Sequence, residues 1–428
     1  MKLLQLPILA IYLLLSGCAG IKYATPSMEL KKTKRLPHSD AFLTNLLSQH
    51  PEYFDSLFRH NDQWRISIIY TQVDRKRNNK PKFTNYYFNV DPKQYFYPAS
   101  TVKMPAALLA LEKIYQLNIA GLDRNTTMIT DAAYPGQTAV YNDPTTPDGR
   151  PTIAHYIKKI FLASDNDAFN RLYEFLGQEH INSRLQQMGY DSVQILHRLQ
   201  VSLSEDQHRR TNPVTFYDTS DHVIYRKPFE VSLMKYLPRN TLLGKGYSQD
   251  NKIINQPFDF SRKNRITLPD LHSILQSIIF PETVPQKQRF QITESDYQFV
   301  YKFMSMKPRE SKFPEYDSTY NDAYSKFVLY GGKGEISPGI RIFNKEGDAY
   351  GFLNDVAYVV DFNKGVEFFL SATILCNSDG IFNDDHYDYE TVGFPFFKRL
   401  GEIIYQHEVT RNKKYPPDLT RFKIDYSK

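Results

Sequence analysis

Residues 97–114 read YPASTVKMPAALLALEKI, a polar turn followed by apolar residues at helical spacing. Ser100 and Lys103 stand at the start of this predicted helix, one turn apart and on one face. A serine hydroxyl becomes nucleophilic when a neighbouring base removes its proton, and a lysine can do so when burial or a nearby cation lowers its pKa. The helix N-terminus also directs free backbone N–H groups towards an oxyanion. Taken alone, such a pair is more often a helix cap followed by a surface lysine.

A second polar motif, Ser164-Asp165-Asn166, lies between the end of one predicted helix and the start of the next. In a functional interpretation, the Ser164 hydroxyl relays a proton to a leaving group and the Asn166 amide holds a substrate carbonyl. In a structural interpretation, Ser164 and Asp167 form a capping box that only starts the second helix.

A glycine-rich segment, residues 331–334 with the sequence GGKG, ends an apolar run at 327–330 that we predict as part of a strand. Small residues allow a substrate to approach a strand edge closely. Lys333 would attract a carboxylate there and lower the pKa of Lys103. A solvated lysine in a glycine turn is the alternative.

The three motifs together resemble the S-x-x-K, S-D-N and K-T-G motifs of the class A β-lactamases and penicillin-binding proteins, over residues 40–407. This resemblance implies a serine hydrolase that acts on cyclic amides without a cofactor. It implies that Ser100 forms an acyl-enzyme, that Lys103 assists deprotonation of Ser100, and that Ser164 passes the proton onward.

The resemblance also implies a substrate-binding set formed by Asn166, Lys333 and Gly334. Asn166 would contact the substrate amide, and Lys333 would meet its carboxylate. The oxyanion hole would use the backbone N–H of Ser100 and one from the strand just after Lys333.

The sequence departs from the family pattern at two positions. The third motif reads Lys333-Gly334-Glu335, with no Thr or Ser after the lysine, and the loss of that hydroxyl leaves the substrate preference open. Residues 198–204, RLQVSLS, place Gln200 where class A enzymes have the deacylating glutamate, and an amide cannot act as a general base. Glu205 would reach that position only after a shift of several residues.

Three functions are therefore compatible with the sequence. The first expectation is hydrolysis of a β-lactam amide through an acyl-enzyme on Ser100. The missing acid at Gln200 favours a penicillin-sensitive D-Ala-D-Ala peptidase or esterase with slow deacylation. A binding lipoprotein that has lost turnover is the third, and the intact serine and lysine motifs argue against it. The expected ligand is a β-lactam or a small peptidoglycan-like molecule.

The pattern of helices and strands predicts an α/β (α+β) fold of the β-lactamase/transpeptidase-like type. Strands are predicted at residues 65–72, 83–90, 326–330, 350–361 and 366–375. They should form a five-stranded antiparallel sheet flanked by helices, with an all-helical lobe beside it. We expect this domain to occupy residues 40–410, with an insertion near 212–265 and a tail at 411–428.

The first 39 residues predict export and a membrane anchor. Lys2 and the apolar run at 3–15 have the form of a signal peptide covering residues 1–18, and residues 15–18, LSGC, resemble the lipobox of bacterial lipoproteins. Cys18 would then carry lipid, and residues 19–39 would be a linker at the periplasmic side of a bacterial membrane. An ordinary signal peptide with an incidental cysteine is the alternative.

Composition narrows the remaining function classes. The chain has 428 residues, 41% of them hydrophobic, so a folded core is expected. A formal charge of +6, scattered along the chain, gives little support to nucleic-acid binding. No metal is expected from the His and Asp residues, and Cys376, at the end of an apolar run, should be a small buried hydrophobe.

Overall fold

The computed structural model describes residues 39–427. The predicted signal peptide, Cys18 and residues 19–38 of the predicted linker lie outside this range. The α-helices of the described chain are α1 Ala41–Ser48, α2 Pro51–Arg59, α3 Asn61–Trp64, α4 Lys103–Leu117, α5 Ile153–Ala163, α6 Asn166–Leu176, α7 Gln178–Gln187, α8 Glu205–Arg209, α9 Leu268–Ile279, α10 Glu294–Ser305 and α11 Phe394–Thr410. The strands are β1 Ser67–Arg75, β2 Pro81–Phe88, β3 Thr127–Thr130, β4 Arg210–Thr211, β5 Val214–Tyr217, β6 Val223–Lys227, β7 Glu230–Val231, β8 Leu242–Leu243, β9 Gly246–Gln249, β10 Lys252–Ile254, β11 Phe258–Asp259, β12 Ile340–Ala349, β13 Phe352–Asp361, β14 Val366–Leu375 and β15 Ile381–Phe382.

A five-stranded antiparallel sheet in the order β12-β13-β14-β1-β2 organises the domain. Strands from the two ends of the chain meet where β1 pairs with β14, with Ile69 opposite Ser371. The fold is therefore the β-lactamase/transpeptidase-like α+β type that the sequence predicts.

Side-chain alternation places the two faces of this sheet in different apolar clusters. Along β13, Leu353, Ala357 and Val359 join one cluster, which includes residues of α1, α2 and α11. Val356 and Tyr358 join the other cluster, which includes residues of α4, α5, α6, α9 and α10. Every residue of β13 and β14 is buried, because helices cover both faces.

The fifth strand is not the one predicted. Residues 326–330 form a loop that ends in a turn, and the edge of the sheet is β12, Ile340–Ala349, paired with β13. Segment 326–330 is nonetheless buried through most of its length, and the amides of Phe327 and Val328 donate to Asp355 at 3.1 and 2.9 Å. Its apolar pattern reflects packing beneath the sheet edge.

Residues 212–265, the predicted insertion, consist of short strands and loops. They contain β5 to β11, of which β5 pairs with β3 and β9 pairs with β15. The segment after α11 packs against the domain. Phe422 is 1% exposed within the core, and the Arg421 guanidinium donates to the Tyr301 hydroxyl at 2.7 Å.

Candidate active site

A 3₁₀ turn, Ala99–Val102, carries Ser100 and leads directly into α4. Ala99 has a left-handed φ of 46°, a strained conformation for an alanine that persists where the surroundings fix it. One contact that holds this turn comes from Asn354 in β13, whose side-chain amide donates to the Tyr97 carbonyl at 3.0 Å. The serine is therefore held at a fixed point between the helix start and the sheet.

The edge strand β12 passes directly against this turn at Gly347. A Cβ on Gly347 would stand 2.6 Å from the backbone nitrogen of Ser100 and 2.9 Å from that of Thr101. Only glycine allows this approach. It brings the β12 backbone beside the Ser100 amide, which is the place where an oxyanion of an attacked carbonyl would need donors.

Lys103 is completely buried one turn after Ser100. Its side-chain nitrogen donates to the carbonyl of Ser164, to the Ser164 hydroxyl at 3.3 Å and to Oδ1 of Asn166 at 2.7 Å. Burial, reinforced by the charge of Lys345, lowers the pKa of Lys103 well below its usual value. A lowered pKa increases the neutral fraction of a lysine, which is the form that can accept a proton.

The Ser164 motif is built by two different helix ends. Ser164 closes α5 with a left-handed φ of 56°, and Asp165 caps α6 by accepting from the Ala168 amide at 2.7 Å. The cap is therefore Asp165, and the capping box considered between Ser164 and Asp167 is not what starts the helix. The Ser164 hydroxyl instead faces two lysines.

The second of these lysines is Lys345 in β12, which is 0% exposed. Its side-chain nitrogen donates to the Ser164 hydroxyl at 2.9 Å, to the Glu346 carbonyl at 3.0 Å and to the Glu346 carboxylate at 2.7 Å. Ser164 thus lies between Lys103 and Lys345. Lys345-Glu346-Gly347 occupies the place that we expected for the third motif.

Lys333 and Gly334 do not lie with Lys103, Ser164 and Lys345. Their predicted role in substrate binding is therefore corrected. The Lys333 side chain is 65% exposed and forms an ion pair with Glu390. Neither Lys333 nor Gly334 is among the residues that line the cavity containing Ser100, Ser164 and Asn166. The turn lies after the buried 326–330 segment and before β12, which accounts for its resemblance to a strand-end motif.

Sequence reasoning therefore missed Lys345, Glu346 and Gly347. In the sequence, the signal is a Lys-x-Gly motif within a strand. In the structure, the charged and polar residues of that strand are buried. Asn344, Lys345 and Glu346 are 1%, 0% and 4% exposed. Consecutive buried polar side chains need hydrogen-bond or ion-pair partners. Such paired, buried groups are concentrated at catalytic and binding sites.

Gln200 lies next to Asn166. The Asn166 side-chain amide donates to Oε1 of Gln200 at 2.7 Å, and Gln200 has a left-handed φ of 54°. The preceding residues anchor this loop: Arg198 donates to the buried Glu174 at 3.0 Å, and the Leu199 amide donates to Asn170 at 2.9 Å. The anchored loop therefore keeps the Gln200 side chain in contact with Asn166, which in turn contacts Lys103.

Glu205 lines the same cavity but is engaged elsewhere. It forms ion pairs with Arg209 and with Arg262, and its side chain is 45% exposed. Hydrogen bonds from Arg262 lower the pKa of Glu205, which weakens it as a proton acceptor.

An open cavity of about 1090 Å³ connects these groups. Ser100, Ser164, Asn166 and Gln200 all line it. The insertion supplies part of the opposite wall; its lining residues are Asp259, Arg262 and Lys263. The remaining walls include Asp348, Tyr350 and the loop residues Asn383, Asp385 and Tyr387.

The fold and this arrangement of serine and lysine side chains are those of serine hydrolases with a β-lactamase/transpeptidase-like architecture. The chain matches the model of the β-lactamase enzyme family over residues 52–407, and it belongs to that family. No curated protein matches the chain.

Several solved structures are similar to this chain at low identity. A mutant of PBP-A, in an acyl-enzyme complex with penicillin G, is 15% identical, with 87% of this chain and 98% of that chain covered and a TM-score of 0.46. A β-lactamase from Xanthomonas campestris pv. campestris is 11% identical, with coverages of 85% and 97% and a TM-score of 0.46. A class A β-lactamase from Clostridium kluyveri is 15% identical, with coverages of 83% and 98% and a TM-score of 0.45.

Within residues 39–427, no cluster of three or more His, Cys, Asp or Glu side chains is arranged to hold a metal ion. In the same range, no helix has both the length and the apolar character needed to cross a membrane. Cys376 is completely buried, and burial raises the pKa of its thiol well above the usual value.

Proposed function

We propose that this chain is a serine hydrolase that transfers an acyl group from a β-lactam, or a related amide or ester, to Ser100. The observation that carries the proposal is Lys103, a buried lysine with a lowered pKa one turn from Ser100 and hydrogen-bonded to Ser164. Family membership agrees with this assignment.

The proposed acylation moves one proton along a short path. Lys103 accepts the proton of the Ser100 hydroxyl while the serine oxygen bonds to the substrate carbonyl carbon. Backbone N–H groups of Ser100 and of β12 just after Gly347 stabilise the resulting oxyanion. Ser164 then relays the proton from Lys103 to the leaving nitrogen or oxygen, the bond to the leaving group breaks, and the acyl-enzyme remains.

Deacylation should be the slow step. Water must attack the acyl-enzyme, and the group hydrogen-bonded to Asn166 at this place is the amide of Gln200, which cannot take a proton from water. This favours a penicillin-sensitive peptidase or esterase with slow deacylation over a rapid β-lactamase.

The test is covalent labelling of the full-length protein with a fluorophosphonate and with a fluorescent penicillin. Mass spectrometry should find the adduct on the tryptic peptide of residues 94–103, which contains Ser100. Ser100→Ala should abolish labelling, whereas Ser202→Ala, a change of a serine on the cavity wall, should not. Labelling of another serine, or of Ser100→Ala, would contradict the assignment.

We also propose that this hydrolase is an exported lipoprotein, anchored through Cys18 and placed at the periplasmic side of a bacterial membrane. The support is the signal-like run at residues 3–15 followed by the LSGC sequence at 15–18. A tethered enzyme of this kind would meet peptidoglycan-like substrates directly.

A further inference from the structure

We propose that Glu346 is a built-in carboxylate that occupies Lys345, so that the substrate is an acyl donor whose leaving group carries no carboxylate. This inference rests on the proposed function and narrows it to amides and esters whose leaving group carries no carboxylate. Penicillins carry a carboxylate on the leaving side, so they should acylate Ser100 more slowly than such esters. It makes Glu346 a specificity-determining residue, at the position where the family motif has a hydroxyl residue.

The donors of Lys345 are fully used inside the protein. A lysine ammonium has three N–H groups. One donates to the Ser164 hydroxyl, and the other two donate to the carbonyl and the carboxylate of Glu346, at 2.9, 3.0 and 2.7 Å. Lys345 and Glu346 side chains are only 0% and 5% exposed, so water does not compete strongly for this pair. A substrate carboxylate would therefore find no free hydrogen on Lys345.

The position of Lys345 identifies which part of the substrate is concerned. Lys345 contacts the Ser164 hydroxyl, and Ser164 is the group that delivers a proton to the leaving atom. Lys345 and Glu346 therefore lie on the leaving-group side of the reacting carbonyl. A negative charge on the acyl side would be farther from them.

Other charges on the cavity wall act in the same direction. Asp348 follows Gly347, is exposed and lines the cavity. A carboxylate on the leaving group would face like charges from Glu346 and Asp348.

The two arginines on the described part of this wall are already paired with carboxylates. Arg198 is bonded to Glu174, and Arg262 is paired with Glu205. Lys263 donates to the Tyr350 hydroxyl at 3.3 Å. No arrangement here matches the bidentate binding by which guanidinium groups usually hold a substrate carboxylate.

A matched pair of esters tests the inference with the full-length protein. Both carry a phenylacetyl group; one leaving group is 3-hydroxybenzoate and the other is its methyl ester. We expect the methyl ester to acylate Ser100 at least tenfold faster, measured as the burst of released phenol. Glu346→Thr should narrow or reverse this ratio, because it removes one carboxylate and frees a donor of Lys345.

Glu346→Gln is the control that separates charge from geometry. It keeps an oxygen acceptor for Lys345 while removing the charge, so its ratio should lie between those of the unmodified protein and Glu346→Thr. Thermal unfolding shows whether each variant is folded, and the ratio in the unmodified protein needs no variant. Equal rates, or a faster carboxylate ester, would overturn this inference while leaving the acyl-enzyme intact. Failure of both esters and of the fluorophosphonate would instead refute the proposed function and this inference with it.

Discussion

Replacing Gln200 with glutamate should convert a slow deacylation into a faster one. In the structure, Oε1 of Gln200 accepts from Asn166 at 2.7 Å, and Oδ1 of Asn166 accepts from Lys103 at 2.7 Å. A glutamate of the same length can accept the same bond from Asn166. It would place a carboxylate two hydrogen bonds from the base of the acylation step, with the loop geometry unchanged.

The size of the effect follows from general-base catalysis. Such assistance is worth about a hundredfold to ten-thousandfold in rate, or roughly 3 to 5 kcal/mol of activation free energy. Stopped-flow measurement with the methyl ester substrate should show a burst of one phenol per unmodified enzyme, followed by a slow steady state. In Gln200→Glu the steady rate should rise by about a hundredfold or more, and the burst should shrink.

Two controls define the refutation. Gln200→Met, which keeps the length of the side chain but has no carboxylate, should stay slow. Rapid turnover without a burst in the unmodified protein, lost in Glu205→Gln, would show that Glu205 is the base. An unchanged steady rate in Gln200→Glu would show that deacylating water does not bind beneath this loop.

Three further predictions concern other parts of the chain. Lys345→Met should lower the acylation rate by about a hundredfold because the proton relay at Ser164 loses its partner, whereas Lys333→Met should leave it unchanged; equal losses would contradict the corrected motif. Burial lowers the pKa of His272 to about 4, against 6.5 normally, so the unfolded chain binds more protons between these values. Its contribution to the unfolding free energy is complete above pH 6.5 and decreases as pH falls to 4, by up to about 3 kcal/mol, and urea titrations should show a shallower decrease in His272→Gln. Cys18→Ala should move the protein out of the membrane fraction of its host; a variant that is processed and still membrane-bound would rule out the lipid anchor.

Much of the fold could be predicted because local patterns and tertiary packing agree. The apolar run of β14 is buried on both faces, and the predicted bounds of 366–375 match Val366–Leu375. The Ser100 and Lys103 pair could be predicted for the same reason, since one helical turn fixes their separation. Ser164 and Asn166 are similarly local to one helix junction.

The edge strand could not be predicted from hydrophobic pattern alone. Arg341, Asn344, Lys345 and Glu346 interrupt the apolar sequence of β12, although the strand is buried along most of its length. Asn344 and Lys345 are buried with partners from distant segments. Lys326, for example, donates to Asn344 at 2.6 Å across the sheet edge. A local sequence pattern does not show such long-range pairing. It therefore favoured the more apolar segment 326–330 as the strand and Lys333 after it as the motif lysine.

The hydrogen-bonded side chains of Lys103, Ser164, Lys345 and Glu346 also determine the net charge of the site during the proposed reaction. The lowered pKa of Lys103 favours the neutral amine from which the proposed mechanism starts, and the buried Lys345–Glu346 ion pair beside it adds no net charge. When Lys103 takes the serine proton, its new charge appears together with that of the oxyanion, so the sum remains zero. Transfer of net charge into a buried region is costly, and this site avoids it at each stage of acylation. Acylation by an uncharged substrate should consequently proceed at nearly the same rate in low and high salt.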